Sequence, residues 1–236
     1  MAANQEDNKW KRPKSVPIPT VWRKCTSIKK LADGKTSKFI IQDISEDKKE
    51  DVVDFMVEHF SRDETICQCL NLVEDPVSIE EFRVLWREML AHNLGLVAYV
   101  EGEDGKPTSK IAGCNVTCMS YKSDYMTHDM VKGRVTRIIV RDILEYGSHI
   151  VDVFERYGVD EYMTAMGLCV DPMYRGQGLG LEILKARFDL GKAVGLKVTM
   201  TAFTGIASQI QAERAGFEVI AEIFYADFKD EDGNPV

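Results

Sequence analysis

Apolar and polar positions along the chain change period repeatedly, from about two residues to nearly four and back, which predicts alternating strands and helices. Lys38 to Ile44 reads as a short strand. Glu46 to Phe60 reads as a helix, with Val52, Val53, Met56 and Phe60 on one face. Residues 61–77 carry no periodicity. Ser78-Ile-Glu-Glu81 has the form of a capping box, and Ile79, Phe82, Trp86, Met89 and Leu90 continue the stripe of a second helix. Leu94 to Glu101 and Ile111 to Met119 are strands joined across the turn-rich Gly102 to Ser109. Tyr121 to Gly133 is an irregular insertion, and Thr136 to Tyr157 is mostly helical with a break near Gly147. Met163 to Val170 is an apolar strand ended by Asp171-Pro172, because proline cannot extend a ladder. Leu181, Leu184 and Phe188 then repeat at helical spacing. Lys197 to Ala202 is a strand, Ala207 to Ala215 a helix stopped by Gly216, and Val219 to Phe228 one or two strands.

The order βααββαβαβαβ, without repeats or a linker, gives one α/β domain with a mixed central sheet flanked by helices. It is expected over residues 37–236. Residues 1–36 form an N-terminal extension, polar, basic and proline-containing, that is partly flexible. Val16, Ile18, Val21 and Trp22 can lay its middle against the domain.

Between the Met163 strand and its helix lies Arg175-Gly176-Gln177-Gly178-Leu179-Gly180. A glycine loop at a helix start bares backbone N–H groups along the positive end of the helix dipole, which suits a pyrophosphate. The spacing excludes the usual nucleotide motifs. No G-x-x-x-x-G-K-[ST] occurs, the loop is G-x-G-x-G rather than G-x-G-x-x-G, and the following strand ends in Phe203 and Thr204 instead of a ribose-binding acid.

Composition adds bounds. The 236 residues are 44% hydrophobic and 29% charged, an ordinary globular balance. A net charge of -8 argues against a nucleic-acid surface and is compatible with cationic substrates. No run approaches the ~20 apolar residues of a membrane span, and the N-terminus lacks a signal-peptide core. The six cysteines read as free thiols of a reducing compartment, the cytosol. Cys67/Cys69 and Cys114/Cys118 lack zinc spacing and the histidines are scattered, so no metal is expected.

The hexamer Arg175 to Gly180 matches [R/Q]-x-x-G-x-G and resembles the acyl-CoA loop of the GNAT superfamily of N-acyltransferases. Arg214-Ala-Gly-Phe217 resembles the ending of that fold's last helix, and the likeness covers roughly residues 37 to 230. Phe60-Ser-Arg-Asp63-Glu64-Thr65-Ile66 resembles the F-x-x-D/E-E-P-L stretch of insect arylalkylamine N-acetyltransferases, with Thr65 in place of the proline. The resemblance implies that the pantetheine arm of acetyl-CoA lies along Leu168, Cys169 and Val170 at a bulge, and that the pyrophosphate takes N–H groups from Gly176 to Gly180, helped by Arg175. It implies Glu64 as a general base through water, and Thr204 and Ser208, matching two family serines, beside the thioester. Tyr225 is a second candidate proton donor. Cys169 is tempting as a nucleophile, but such enzymes transfer the acyl group directly.

The implied reaction is acetyl transfer to a small amine of the dopamine, tyramine, octopamine, serotonin or tryptamine type. The amine pocket is expected from residues 61–77, the 121–133 insertion with Tyr121, Tyr125 and Met126, and the final strands. Polyamines, agmatine, protein lysines or N-termini are alternative acceptors. A non-catalytic acyl-CoA binding module would need the loop without the base.

Overall fold

In the computed structural model, which describes residues 9–30, 34, 36–123, 131–144 and 150–227, five strands form one antiparallel sheet in chain order. They are β1 (Val21–Thr26), β2 (Lys38–Asp43), β3 (Leu96–Glu101), β4 (Pro107–Tyr121) and β5 (Glu161–Val170). The period-two pattern sorts side chains onto two cores. On β3, Val97 and Tyr99 face Val52, Val53, Met56, Phe82 and Trp86. Leu96 and Ala98 face Leu179, Ile183, Ala186 and Leu190.

Helix α1 (Lys49–Phe55) passes into a π-helical turn, Met56–Phe60, and then a short turn, Ser61–Asp63. Helix α2 (Thr65–Cys69) follows, and then α3 (Pro76–Leu90). The cap of α3 differs from the expected Ser78 box. Asp75 is the N-cap and accepts from Ser78 N at 3.1 Å and Ser78 Oγ at 2.7 Å, with Pro76 in the first turn. Ser78 is fully buried inside the helix, and Glu81 instead accepts from the Lys132 and Gly133 amides.

The 134–157 region is less regular than a single helix: Arg134–Thr136 continues into a π-helical segment, Arg137–Leu144, and Val153–Tyr157 forms the short α4. The expected break at Gly147 lies outside the described residues, as do Tyr125 and Met126. Helices α5 (Leu179–Ala193) and α6 (Ile206–Ala215) complete the architecture.

The parallel component of the expected mixed sheet is reduced to one bridge, Met163 to Thr199. Met163 N donates to Val198 O, and Met200 N to Met163 O, both at 3.0 Å. Beyond it, β5 turns away, so residues 197–202 have no further edge to pair with. Residues 219–224 form no strand, and Tyr225–Asp227 is a single 3-10 turn. An apolar run becomes a strand only where a ladder partner is offered.

Within the N-terminal extension, β1 pairs with β2, an edge strand that the sequence reading did not anticipate. Arg12 pins the chain before it. Its guanidinium donates to both Asp43 oxygens, at 2.9 and 2.8 Å, and Asp43 also accepts from Thr20 N and Trp22 Nε1. Asp43 is 1% exposed, so removing the cation strands a buried carboxylate. Arg12→Ala is therefore expected to lower stability by about 3 kcal/mol in urea denaturation, more than a surface pair would contribute.

Candidate active site

The site is built where β5 leaves its neighbour. At the closed end, Arg187 of α5 pins β5 to residues 199–200. Its Nε donates to Thr199 Oγ1 at 2.8 Å, and Nη2 to the Met163 and Met200 carbonyls at 3.3 Å. The side chain is fully buried, and burial lowers its pKa to about 9. Thr201 Oγ1 adds a bond to Ala165 O at 2.8 Å. After Ala165 the two chains separate, and a cleft of about 2290 Å³ opens between them.

The separation begins at a bulge. Asn115 pairs with Leu168 and Thr117 with Ala165, so β5 carries one extra residue, at Met166-Gly167. This lies upstream of the Leu168–Val170 position expected from sequence. Gly167 has φ +115°, and a Cβ there would meet Met56 Cε at 2.3 Å and Phe60 Cε2 at 3.3 Å. The extra residue exchanges the two edges of the strand. Asp171 N donates to Ala112 O, so Cys169 is the residue whose backbone faces β4. The N–H groups of Leu168 and Val170 consequently face the open edge, free to pair with an extended ligand. Gly167→Ala should cost about 2 kcal/mol of stability through the positive φ alone and abolish the bulge geometry. The check is denaturation alongside acyl-donor binding.

The phosphate loop follows. Gly176 and Gly178 have φ +69° and +84°, and Gly178 caps α5. The first amides of α5 have no intrahelical partner. Arg175 does not reach over the loop. Its Nη2 pairs with Asp63 at 2.6 Å and its Nε donates to Val170 O at 2.9 Å, bracing the loop after helix α1 against β5. Gln177 is buried and clasped by the N-terminal extension: Ile28 N donates to its carbonyl at 3.2 Å and Lys29 N to its Oε1 at 3.1 Å.

Glu64 is the N-cap of α2, in extended conformation, with Oε2 accepting from Cys67 N at 2.8 Å. Thr65 therefore occupies the first helical position, where proline is favoured. Threonine thus stands where the family proline would begin the helix. The start of α6 abuts this turn, since a Cβ on Gly205 would lie 2.9 Å from Thr65 Oγ1. Thr204 Oγ1 thereby donates to Glu64 Oε1 at 2.5 Å. Ser208 closes the start of α6, donating to Gly205 O at 2.7 Å. Tyr225 donates its hydroxyl to Thr204 O at 2.6 Å, and burial, with Glu64 nearby, pushes its phenol up to about 12.

Glu64, Leu168, Cys169, Val170, Arg175, Gly176, Gln177, Gly178, Leu179, Gly180, Thr204 and Ser208 all line this one cleft. Tyr121 does not. It ends β4 on the alternate face and packs into the α5-side core. Arg187, Gly167 and the Ile28–Lys29 clasp were not singled out in the sequence. Only Arg187 carried a local signal, as a charge on the apolar face of α5 beside Ile183 and Leu184.

Comparison with known proteins decides the family. No protein-family model and no curated protein sequence matches the chain. Among solved structures, a protein of the yellow fever mosquito Aedes aegypti assigned as arylalkylamine N-acetyltransferase 7 is 38% identical, over 93% of this chain and 89% of that one, with a TM-score of 0.86. The chain belongs to the insect arylalkylamine N-acetyltransferase family, within the GNAT superfamily. It is an acyl-CoA-dependent N-acetyltransferase. Arylalkylamine N-acetyltransferase 2 of Aedes aegypti (23% identity, 84% and 90% coverage, TM-score 0.72) shares the fold. So does Drosophila melanogaster polyamine N-acetyltransferase, which forms N-acetylagmatine (16% identity, 84% and 91% coverage, TM-score 0.63).

Among the described residues no helix is long and apolar enough to cross a membrane, and no cluster of three metal-binding side chains occurs. Five of the six thiols are buried or half-buried, and Cys69 is exposed. Burial raises Cys169 to about 12, which disfavours its thiolate. Native titration with a thiol reagent at pH 8 should show one fast cysteine, lost in Cys69→Ser, and Cys169→Ser should leave turnover within a few-fold of wild type.

Proposed function

We propose that the enzyme transfers the acetyl group of acetyl-CoA to the primary amine of a small arylalkylamine, by direct attack. The observation that carries this is the placement of the Glu64 carboxylate in the same cleft as the outward-facing Leu168 and Val170 N–H groups and the glycine loop. The loop amides suit the pyrophosphate and the open edge of β5 suits the pantetheine arm. The apolar wall of Phe60, Ile66, Ile139, Ile143 and Met166 favours an aromatic acceptor over a polyamine or a peptide lysine.

The amine arrives as ammonium, since its pKa is near ~10. Glu64 accepts a proton through a water, freeing the lone pair for attack on the thioester carbonyl. Charge developing on the carbonyl oxygen is met by a backbone N–H of the bulged strand. Thr204 and Tyr225 hold Glu64 in place: the hydroxyl of one binds the carboxylate, and the phenol of the other binds the carbonyl of that threonine. Burial and the nearby Glu64 raise the Tyr225 phenol to about 12, so its proton stays on the oxygen that binds Thr204. When the tetrahedral intermediate collapses, the nitrogen sheds its second proton and the leaving thiolate takes one up, so the protons balance.

Thiol release from acetyl-CoA would be followed with tyramine, dopamine, serotonin, tryptamine, agmatine, spermidine and a histone-tail peptide. Arylalkylamines should turn over best. In Glu64→Gln, kcat/KM at pH 7 should fall by roughly 10²–10⁴-fold and recover toward wild type as the pH approaches the amine pKa. Equal turnover by the glutamine variant at pH 7 removes Glu64 as the base. Preference for agmatine, spermidine or the peptide replaces the arylalkylamine.

A further inference from the structure

The bulge that opens the cleft leaves the ladder at two consecutive residues, Met166 and Gly167, and both of their carbonyls are taken by side chains. Trp86, fully buried on α3, donates Nε1–H to Met166 O at 3.1 Å. Asn115, 1% exposed on β4, donates Nδ2–H to Gly167 O at 2.8 Å. The two come from different layers of the fold. Trp86 belongs to the core built on α1 and α3, against Phe60 and Phe82. Asn115 comes from the strand beside β5.

Asn115 also has an unusual defect. Its Oδ1 is buried without a hydrogen-bond partner, although the residue lines the cleft. An interior amide with half its capacity unused is poorer for stability than an apolar side chain of the same shape. Folding alone does not favour asparagine here, whereas a need for its Nδ2 donor does.

We propose that Trp86 and Asn115 are positioning residues for acyl transfer. By capturing the Met166 and Gly167 carbonyls they fix the two peptide planes of the bulge: Asn115 sets the plane that carries the Leu168 N–H and so aims it into the cleft, and Trp86 sets the plane before it, from which that peptide hangs. Each peptide is rigid, so holding its carbonyl also sets the direction of the N–H across from it. Without the two donors, the carbonyls rotate to seek partners, and the Leu168 N–H that meets the thioester arm rotates with them. The inference rests on the acetyl-CoA reading above.

The test removes each donor while keeping its shape. At position 86, tryptophan is replaced by β-(3-benzothienyl)alanine, in which sulfur stands for the N–H, with Trp86→Phe as the genetically simpler variant. Asn115→Leu removes the second donor. For each, melting temperature, kcat, KM for acetyl-CoA and the amine, and calorimetric binding of 3′,5′-ADP are measured. The 3′,5′-ADP probe reports the phosphate loop without the pantetheine arm. A loss of roughly ten- to a hundredfold in kcat/KM for acetyl-CoA is expected, below the roughly 10²–10³-fold of removing an oxyanion donor outright. Binding of 3′,5′-ADP and the amine KM should stay within twofold of wild type. A purely packing role would lower the melting temperature and leave kcat/KM unchanged, and that result overturns the proposal. So does a parallel loss of 3′,5′-ADP affinity, which would mean that the whole site had collapsed. If the wild type neither binds 3′,5′-ADP nor turns over acetyl-CoA, the acetyl-CoA reading itself fails, separately from these variants.

Discussion

An antiparallel ladder cannot take one more residue on one strand without turning the backbone, and β5 carries that residue between Ala165 and Leu168. Before it, Met163 and Ala165 point their main-chain groups at residues 198–201. After it, Leu168 and Val170 take over the outward role, with Val170 O held by Arg175 Nε and the two N–H groups turned to the cleft. One side of the extra residue is closed by Arg187, Thr199 and Thr201, and the other is an open strand edge inside the molecule. An exposed edge invites pairing with any extended chain. Here it lies within a cleft, where a narrow ligand can reach it and another sheet cannot.

Three of the charges around the site are already committed. Arg175 is paired with Asp63, and the Glu64 carboxylate receives two donors. Arg187 is buried beneath the closed end with its pKa depressed by desolvation. In a chain of net charge -8, the backbone dipoles of the glycine loop add an attraction for an anionic nucleotide that these paired groups do not supply. Such dipoles are fixed by the fold and need no counter-charge.

The parts legible in the sequence are those whose physics is local. The strand–loop–helix from Met163 to Ala193 could be read because proline, glycine and a helical apolar stripe each act within a few residues. Glu64, Thr204 and Ser208 were legible only through resemblance, since each is otherwise an ordinary polar residue at a helix start. What could not be read depends on partners distant in the chain. The position of the bulge is a statement about the register of β4 against β5. The failure of residues 197–202 to become a full strand follows from that bulge. Tyr121 was misplaced because a one-residue difference along a strand decides which face it occupies. Ser78 looked like a cap, but Asp75 and Pro76 begin the helix a turn earlier.

The clasp of Ile28 and Lys29 on Gln177 ties the sheet's outer edge to the phosphate loop. Coupling of this kind is reciprocal. Whatever free energy an occupant of the loop gives to the conformation that Gln177 adopts is given equally to the docking of residues 28 and 29. This N-terminal segment thereby becomes a reporter of occupancy. Its amide exchange slows when the loop is filled and quickens when it empties.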